Sequence, residues 1–181
     1  MRDLQGKRVA ILATNGFEEA ELFEPKKALE KHGAEVFIIS PDKGRIKGWN
    51  HGNWSREIEV DLTVGEAKKE DFVALILPGG VINPDMLRRS REAINFVRGF
   101  FDNSKIVATI CHGPQLLIEA GVVAGRTMTS FYSIKKDLQN AGANWKDAEV
   151  VVDGGLITSR NPGDLEIFNQ KVIEEINKQK N

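Results

Sequence analysis

The chain has 181 residues, 41% of them hydrophobic and 28% charged, with a formal net charge of −1. That balance predicts one soluble globular domain over residues 1–181 with a sizeable core, and it offers no excess of positive charge for nucleic acid or a membrane surface. One cysteine and three histidines exclude an internal disulfide and the usual structural zinc sites, which need at least two cysteines. A lone thiol fits a reducing cytoplasm. The start of the chain has no apolar stretch followed by a small-residue cleavage site, so a cytoplasmic location is expected.

In chain order, "KRVAILAT" (7–14) is an apolar run closed by Asn15-Gly16 and predicts a buried strand. "EEAELFEPKKALEKHG" (18–33) carries acid early, base late and Gly33 as a stop, the pattern of a helix with its dipole complemented at both ends. Pro25 within it belongs near the first turns or marks a kink. His32 falls at the C-terminal end of this helix. "AEVFIIS" (34–40) predicts the second strand. Residues 41–53, "PDKGRIKGWNHGN", are rich in turn formers and predict a loop or small hairpin with His51 facing solvent; "EIEVDLT" (57–63) is a short strand.

"ALILP" (74–78) is a buried strand that ends abruptly in Gly79-Gly80. A helical stretch follows, with Asn83-Pro84 as its cap and first residue and Ser90 as a second cap; Ile94, Val97 and Phe101 form its buried stripe. "KIVATIC" (105–111) is the next strand and "PQLLIEAG" (114–121) the next helix, stopped by Gly121. "RTMTS" (126–130), "VVVD" (150–153) and "GLITS" (155–159) are strands, with a helix in "SIKKDLQNAGA" (133–143). The last helix begins with Asn161, Pro162 and Asp164 in capping positions. Strands alternating with helices predict a doubly wound, mostly parallel sheet with helices on both faces, whose ligands sit at the carboxyl ends of the strands.

Three strand ends carry candidate chemistry. Cys111 lies where "KIVATIC" gives way to His112-Gly113-Pro114, a tight turn into a helix. A nucleophile on such an elbow stands above the sheet, and a helix N-terminus favours its thiolate. A small, inert core cysteine fits the local residues equally well. Gly79-Gly80 can aim backbone N–H groups into a cleft, as an oxyanion hole requires, or simply turn the chain. Glu18 and Glu19 follow the first strand and are also ordinary acids at a helix start. An ionised glutamate touching Cys111 would oppose the thiolate, whereas one kept neutral by burial could donate a hydrogen bond to it. There is no Walker loop, GxGxxG or HExxH.

"TICHGPQLL", "LPGG" and "GFEEAEL", with "GRTMTS", "EVVVDGGLITSR" and "NPGDL" downstream, together resemble the PfpI-like intracellular protease family. That family lies in the superfamily of the Parkinson's-disease-associated deglycase, with a flavodoxin-like, class I glutamine amidotransferase-like fold. The resemblance runs from the first strand to the last helix. It implies Cys111 as nucleophile, Glu18 as the acid against the thiol, and the backbone N–H groups of Gly80 and His112 as the oxyanion hole. It also implies His112 as catalytic histidine, completed across subunits by an acid that matches Asp85 after a one-residue insertion, and hence a homo-oligomer. Phe131 stands where some relatives place tyrosine. The implied activity is a cofactor-free, metal-free stress-protection enzyme on reactive carbonyls, of glyoxalase III or deglycase type, acting on a small aldehyde. The alternatives are a cysteine peptidase acting on peptides, and a non-enzymatic redox-sensing or chaperone-like stress protein.

Overall fold

The computed structural model describes residues 3–179. Its strands are β1 (Arg8–Leu12), β2 (Phe17–Glu18), β3 (Glu35–Ser40), β4 (Arg45–Asn50), β5 (Asn53–Glu59), β6 (Leu62–Thr63), β7 (Ala74–Leu77), β8 (Ile106–Ile110), β9 (Thr127–Met128), β10 (Asn144–Trp145), β11 (Val151–Asp153) and β12 (Leu156–Ser159). Its α-helices are α1 (Glu19–Lys31), α2 (Ile82–Leu87), α3 (Arg91–Asp102), α4 (Gln115–Ala120), α5 (Lys135–Asn140) and α6 (Leu165–Lys178).

Seven strands form the central sheet in the order β11-β12-β8-β7-β1-β3-β6, parallel throughout except for the antiparallel edge pair β11–β12. The inner strands are short, continuous apolar runs because both faces are covered. Alternate residues serve the two sides. Ala10 and Leu12 join Leu75, Leu77, Val97 and Leu116 on one face, while Val9 and Ile11 join Ile76, Leu22, Phe168 and Val172 on the other. Helices α3 and α4 thus pack on the first face and α1 and α6 on the second, which is the doubly wound, flavodoxin-like arrangement expected. No helix among the described residues is long and apolar enough to cross a membrane.

After β1 the chain moves to β3 on one side, and later to β7, β8 and β12 on the other. The strand order therefore reverses at β1–β7, and a crevice opens there at the carboxyl ends, where open α/β sheets take their ligands.

Several local expectations shift. Pro25 sits well inside α1 and is buried, where it lacks the N–H that would bond the Glu21 carbonyl. Of the two readings of 41–53, the hairpin is the one that forms: β4 and β5 pair antiparallel, with Trp49 and Trp54 edge to face at 5.2 Å. Asn83 is not a helix cap. Helix α2 already includes Ile82, and the buried Asn83 side chain accepts from the Thr14 N–H (2.8 Å) while donating to the carbonyls of Pro78 (3.0 Å) and Gly79 (3.1 Å). It ties the ends of β1 and β7 together. Ser90 does cap α3, its Oγ accepting from the Ala93 N–H, and Asn161 caps the turn before α6. In α3 the buried stripe runs through Ile94, Val97 and Phe100, with Phe101 half-buried at its margin.

Candidate functional site

The end of β8 delivers Cys111 in a backbone conformation with φ of +61°, the left-handed region that a residue with a Cβ adopts at a cost of about 1–3 kcal/mol. Tertiary bonds hold it there. The Cys111 N–H donates to the carbonyl of Ser159 at the end of β12 (3.1 Å), and its own carbonyl accepts from the Phe131 N–H (2.9 Å). The turn lifts the side chain above the sheet, as the Gly113-Pro114 pattern predicts. The residue is only 7% exposed and forms part of the wall of a cavity of about 260 Å³. Gly16, Glu18 and Glu21 bound that cavity from the β1 side, Gly80, Val81 and Ile82 from β7, and Trp49, His112, Phe131 and Pro162 elsewhere. Most of this wall is apolar, so charge formed inside is poorly screened.

The acid that reaches the thiol is Glu21, not Glu18. Glu21 is fully buried, and its Oε2 accepts the Gly79 N–H at 2.8 Å. The carboxyl lies against the Cys111 thiol, and Oε1 otherwise has no hydrogen-bond partner. Helix geometry explains the difference. Glu21, Pro25 and Leu29 follow an i, i+4, i+8 spacing and are all buried, whereas Glu18 and Glu19 lie off that stripe and are half-buried. Glu18 still borders the cavity. Burial pushes its carboxyl up, and the nearby His51 partly offsets this. His51 itself is exposed, with φ of 48° in the β4–β5 turn.

Burial, with a contribution from the Glu18 charge, pushes the Glu21 carboxyl up to about 8 despite its Gly79 hydrogen bond. Burial also pushes the Cys111 thiol up, and the charge of an ionised Glu21 pushes it further. Any help from the helix start is outweighed: α4 has only six residues. The groups that favour the thiolate are instead the backbone N–H groups of Gly80 and His112, both of which hydrogen-bond the sulfur. Glu21 and Cys111 therefore titrate as one unit. At neutral pH Glu21 keeps its proton, its repulsion of the sulfur vanishes, and it is the neutral donor that an adjacent thiolate needs.

His112 adjoins the sulfur from the other side, with Nδ1 at 3.2 Å from Sγ. Its ring stacks on Phe131, centroids 4.9 Å apart, and its Nε2 is 3.0 Å from Ser133 Oγ. Desolvation lowers its pKa, so it is neutral at physiological pH. Asp85 is exposed on α2 and is not part of the cavity wall. Tyr132 points away, 72% exposed and edge to face with Trp145.

Close packing fixes the turn after β7. A Cβ on Gly79 would lie 2.5 Å from Glu21 Oε2, 2.7 Å from Cys111 Cβ and 2.8 Å from the Ile110 carbonyl oxygen. Gly79→Ala is expected to cost about 1–3 kcal/mol of stability through overpacking and to spread Glu21 from the sulfur. Urea unfolding together with the rate of Cys111 alkylation checks both effects.

Residues 7–175 match the DJ-1/PfpI family. Deglycase TK1284 of Thermococcus kodakarensis is 43% identical over 167 residues, covering 92% of this chain and 98% of that protein. General stress protein 18 of Bacillus subtilis is 40% identical over 174 residues, covering 96% and 99% respectively. Among solved structures, a two-domain protein of Anabaena variabilis with DJ-1/ThiJ/PfpI-like and ferritin-like domains is 38% identical with a TM-score of 0.89; the match covers 97% of this chain and about half (52%) of that one. Drosophila melanogaster DJ-1beta is 28% identical with a TM-score of 0.86 over 96% of this chain and 91% of its own. A doubly wound sheet, a strained cysteine elbow beside its switch point and similarity to these proteins over nearly the whole chain place it in the DJ-1/PfpI family.

Proposed function

We propose that the protein is a cysteine-dependent enzyme that converts small reactive carbonyls, such as methylglyoxal or the aldehyde-derived adducts of early glycation, to hydroxy acids by adding water. The observation that carries this reading is the pairing of Cys111 with a buried, proton-bearing Glu21 in a small, mostly apolar cavity. An aldehyde fits a space of about 260 Å³, whereas an extended peptide needs a long groove. The name deglycase, borne by relatives from Thermococcus kodakarensis and Pyrococcus furiosus, supports the same substrate class.

The Cys111 sulfur passes its proton to Nδ1 of His112 and attacks the aldehyde carbon, forming a C–S bond and moving the carbonyl pair onto oxygen. Glu21 donates its proton to that oxygen, and the N–H groups of Gly80 and His112, already aimed at the sulfur, lie where the developing charge forms. A base removes the carbon-bound proton of the hemithioacetal, and reprotonation at the neighbouring carbon leaves a thioester. The cavity-facing Glu18 is the group placed for that transfer. Water then cleaves the thioester, the C–S bond breaks, and a 2-hydroxy acid leaves. One water is consumed per turnover and no electrons are exchanged with the surroundings.

Incubation with methylglyoxal and measurement of lactate tests this. Steady formation of lactate is expected, and its absence at any pH between 6 and 9 would sink the reading. The rival peptidase mechanism sets Asp85 of one copy against His112 of another in a homo-oligomer. Under the carbonyl mechanism Asp85→Ala keeps lactate formation within about twofold, since Asp85 lies outside the cavity wall. A loss of a hundredfold or more with the oligomeric state preserved would favour the shared triad.

A further inference from the structure

His112 has a hydrogen-bonding partner of its own chain that is neither a carboxylate nor an amide. Ser133 opens toward it from the short turn Tyr132–Ile134, twenty-one positions away in sequence, with Oγ at 3.0 Å from Nε2. The opposite ring nitrogen is the one beside the sulfur, at 3.2 Å. Phe131, two residues before Ser133, stacks on the imidazole and bonds the Cys111 carbonyl through its N–H. One short segment therefore grips the ring by face and by edge.

We infer that Ser133 is the positioning residue for His112, completing a Cys111–His112–Ser133 chain within one protomer and letting the imidazole change tautomer during turnover. The inference rests on the function proposed above. A carboxylate on Nε2 could only accept, which would hold the hydrogen on Nε2 and stabilise the imidazolium. A hydroxyl both donates and accepts. When Ser133 accepts from Nε2–H, Nδ1 presents a lone pair that can take the thiol proton. When Ser133 donates to Nε2, Nδ1–H faces the sulfur and supports the thiolate. The thiol proton enters at Nδ1 and the Nε2 proton leaves to the exposed Ser133 hydroxyl, which passes its own proton to water, so His112 is neutral at both ends of the exchange, which suits a ring stacked and half-sequestered from water. The titratable groups around it are Cys111 on its own turn, Glu18 and Glu21 across the cavity, and Tyr132, Lys135 and Lys136 beside Ser133.

The test uses Ser133→Ala, Ser133→Thr and Ser133→Asp in the full chain. Three readouts are followed: methylglyoxal turnover, the pH profile of Cys111 alkylation by iodoacetamide, and the ¹⁵N shifts of the His112 ring. Ser133→Ala is expected to lower kcat about tenfold or more with KM within twofold, to distort the alkylation profile and to move the Nε2 shift. Ser133→Thr restores all three. Ser133→Asp raises the pH at which His112 takes up a second proton by about one unit. An alanine variant with the parental alkylation profile and ring shifts would overturn the proposal, as would a threonine variant no better than alanine. If the parent forms no lactate, the proposed reaction fails, but the alkylation profile and ring shifts still decide the role of Ser133.

Discussion

Replacing Cys111 by serine is expected to reduce lactate formation from methylglyoxal by at least about a thousandfold while the fold persists. The two side chains are similar in size, so the elbow, with its bonds to Ser159 and Phe131, has no steric reason to change. A hydroxyl, however, ionises far above the range in which Glu21 can manage its proton, and it is the weaker nucleophile at neutral pH. Two measurements give the answer: lactate yield, and the urea midpoint of the variant beside that of the parent. Undiminished lactate from a variant of normal stability would remove Cys111 from the chemistry.

Glu21→Gln carries the second large effect. The amide keeps an oxygen for the Gly79 N–H and closely matches the shape of the carboxyl, but it has no acidic proton to deliver to an oxyanion. A loss of about a hundredfold in kcat is expected, within the usual contribution of general acid–base catalysis. Stability should move the other way. The Glu21 carboxyl is raised from its ordinary value of 4.5 to about 8 in the folded state. Between those limits the folded chain binds more protons than the unfolded chain. Parental stability therefore falls as pH rises from about 4.5 to about 8, by at most about 1.4 kcal/mol per pH unit for this one group. The thiol of Cys111, also held up by burial, extends the fall above its unfolded range. Glutamine has no proton to lose, so the variant should lack the Glu21 part of this slope. Urea midpoints at pH 5.5 and 8 test the sign: a parent more stable at pH 8, with no such gain in the variant, would contradict a carboxyl buried with its proton.

Much of the fold was legible because the inner strands are continuous apolar runs bounded by turn residues and the longer helices carry recognisable stops. The position of Cys111 followed from strand, turn and helix signals over a dozen residues. Glu21 was missed although its signal is local, because "GFEE" was taken in preference to the stripe formed with Pro25 and Leu29. Asn83 was misread for a different reason. Asn-Pro is a good cap signature, and nothing nearby in sequence reveals that its amide is needed to join the ends of two strands. Ser133 lay beyond local reach altogether, since its partner is set by how the segment after β9 folds back over the elbow. The hairpin of β4 and β5 was legible only as one of two readings of 41–53, because its turn-forming residues fit a loop equally well.

The backbone at Cys111 has a further consequence. A glycine at φ of +61° would relieve the strain that cysteine bears there, at the loss of only a small buried side chain. Selection for thermal robustness alone thus has a ready substitute at this position. Cysteine occupies it at a cost to robustness, a trade between durability and reactivity confined to a single peptide unit.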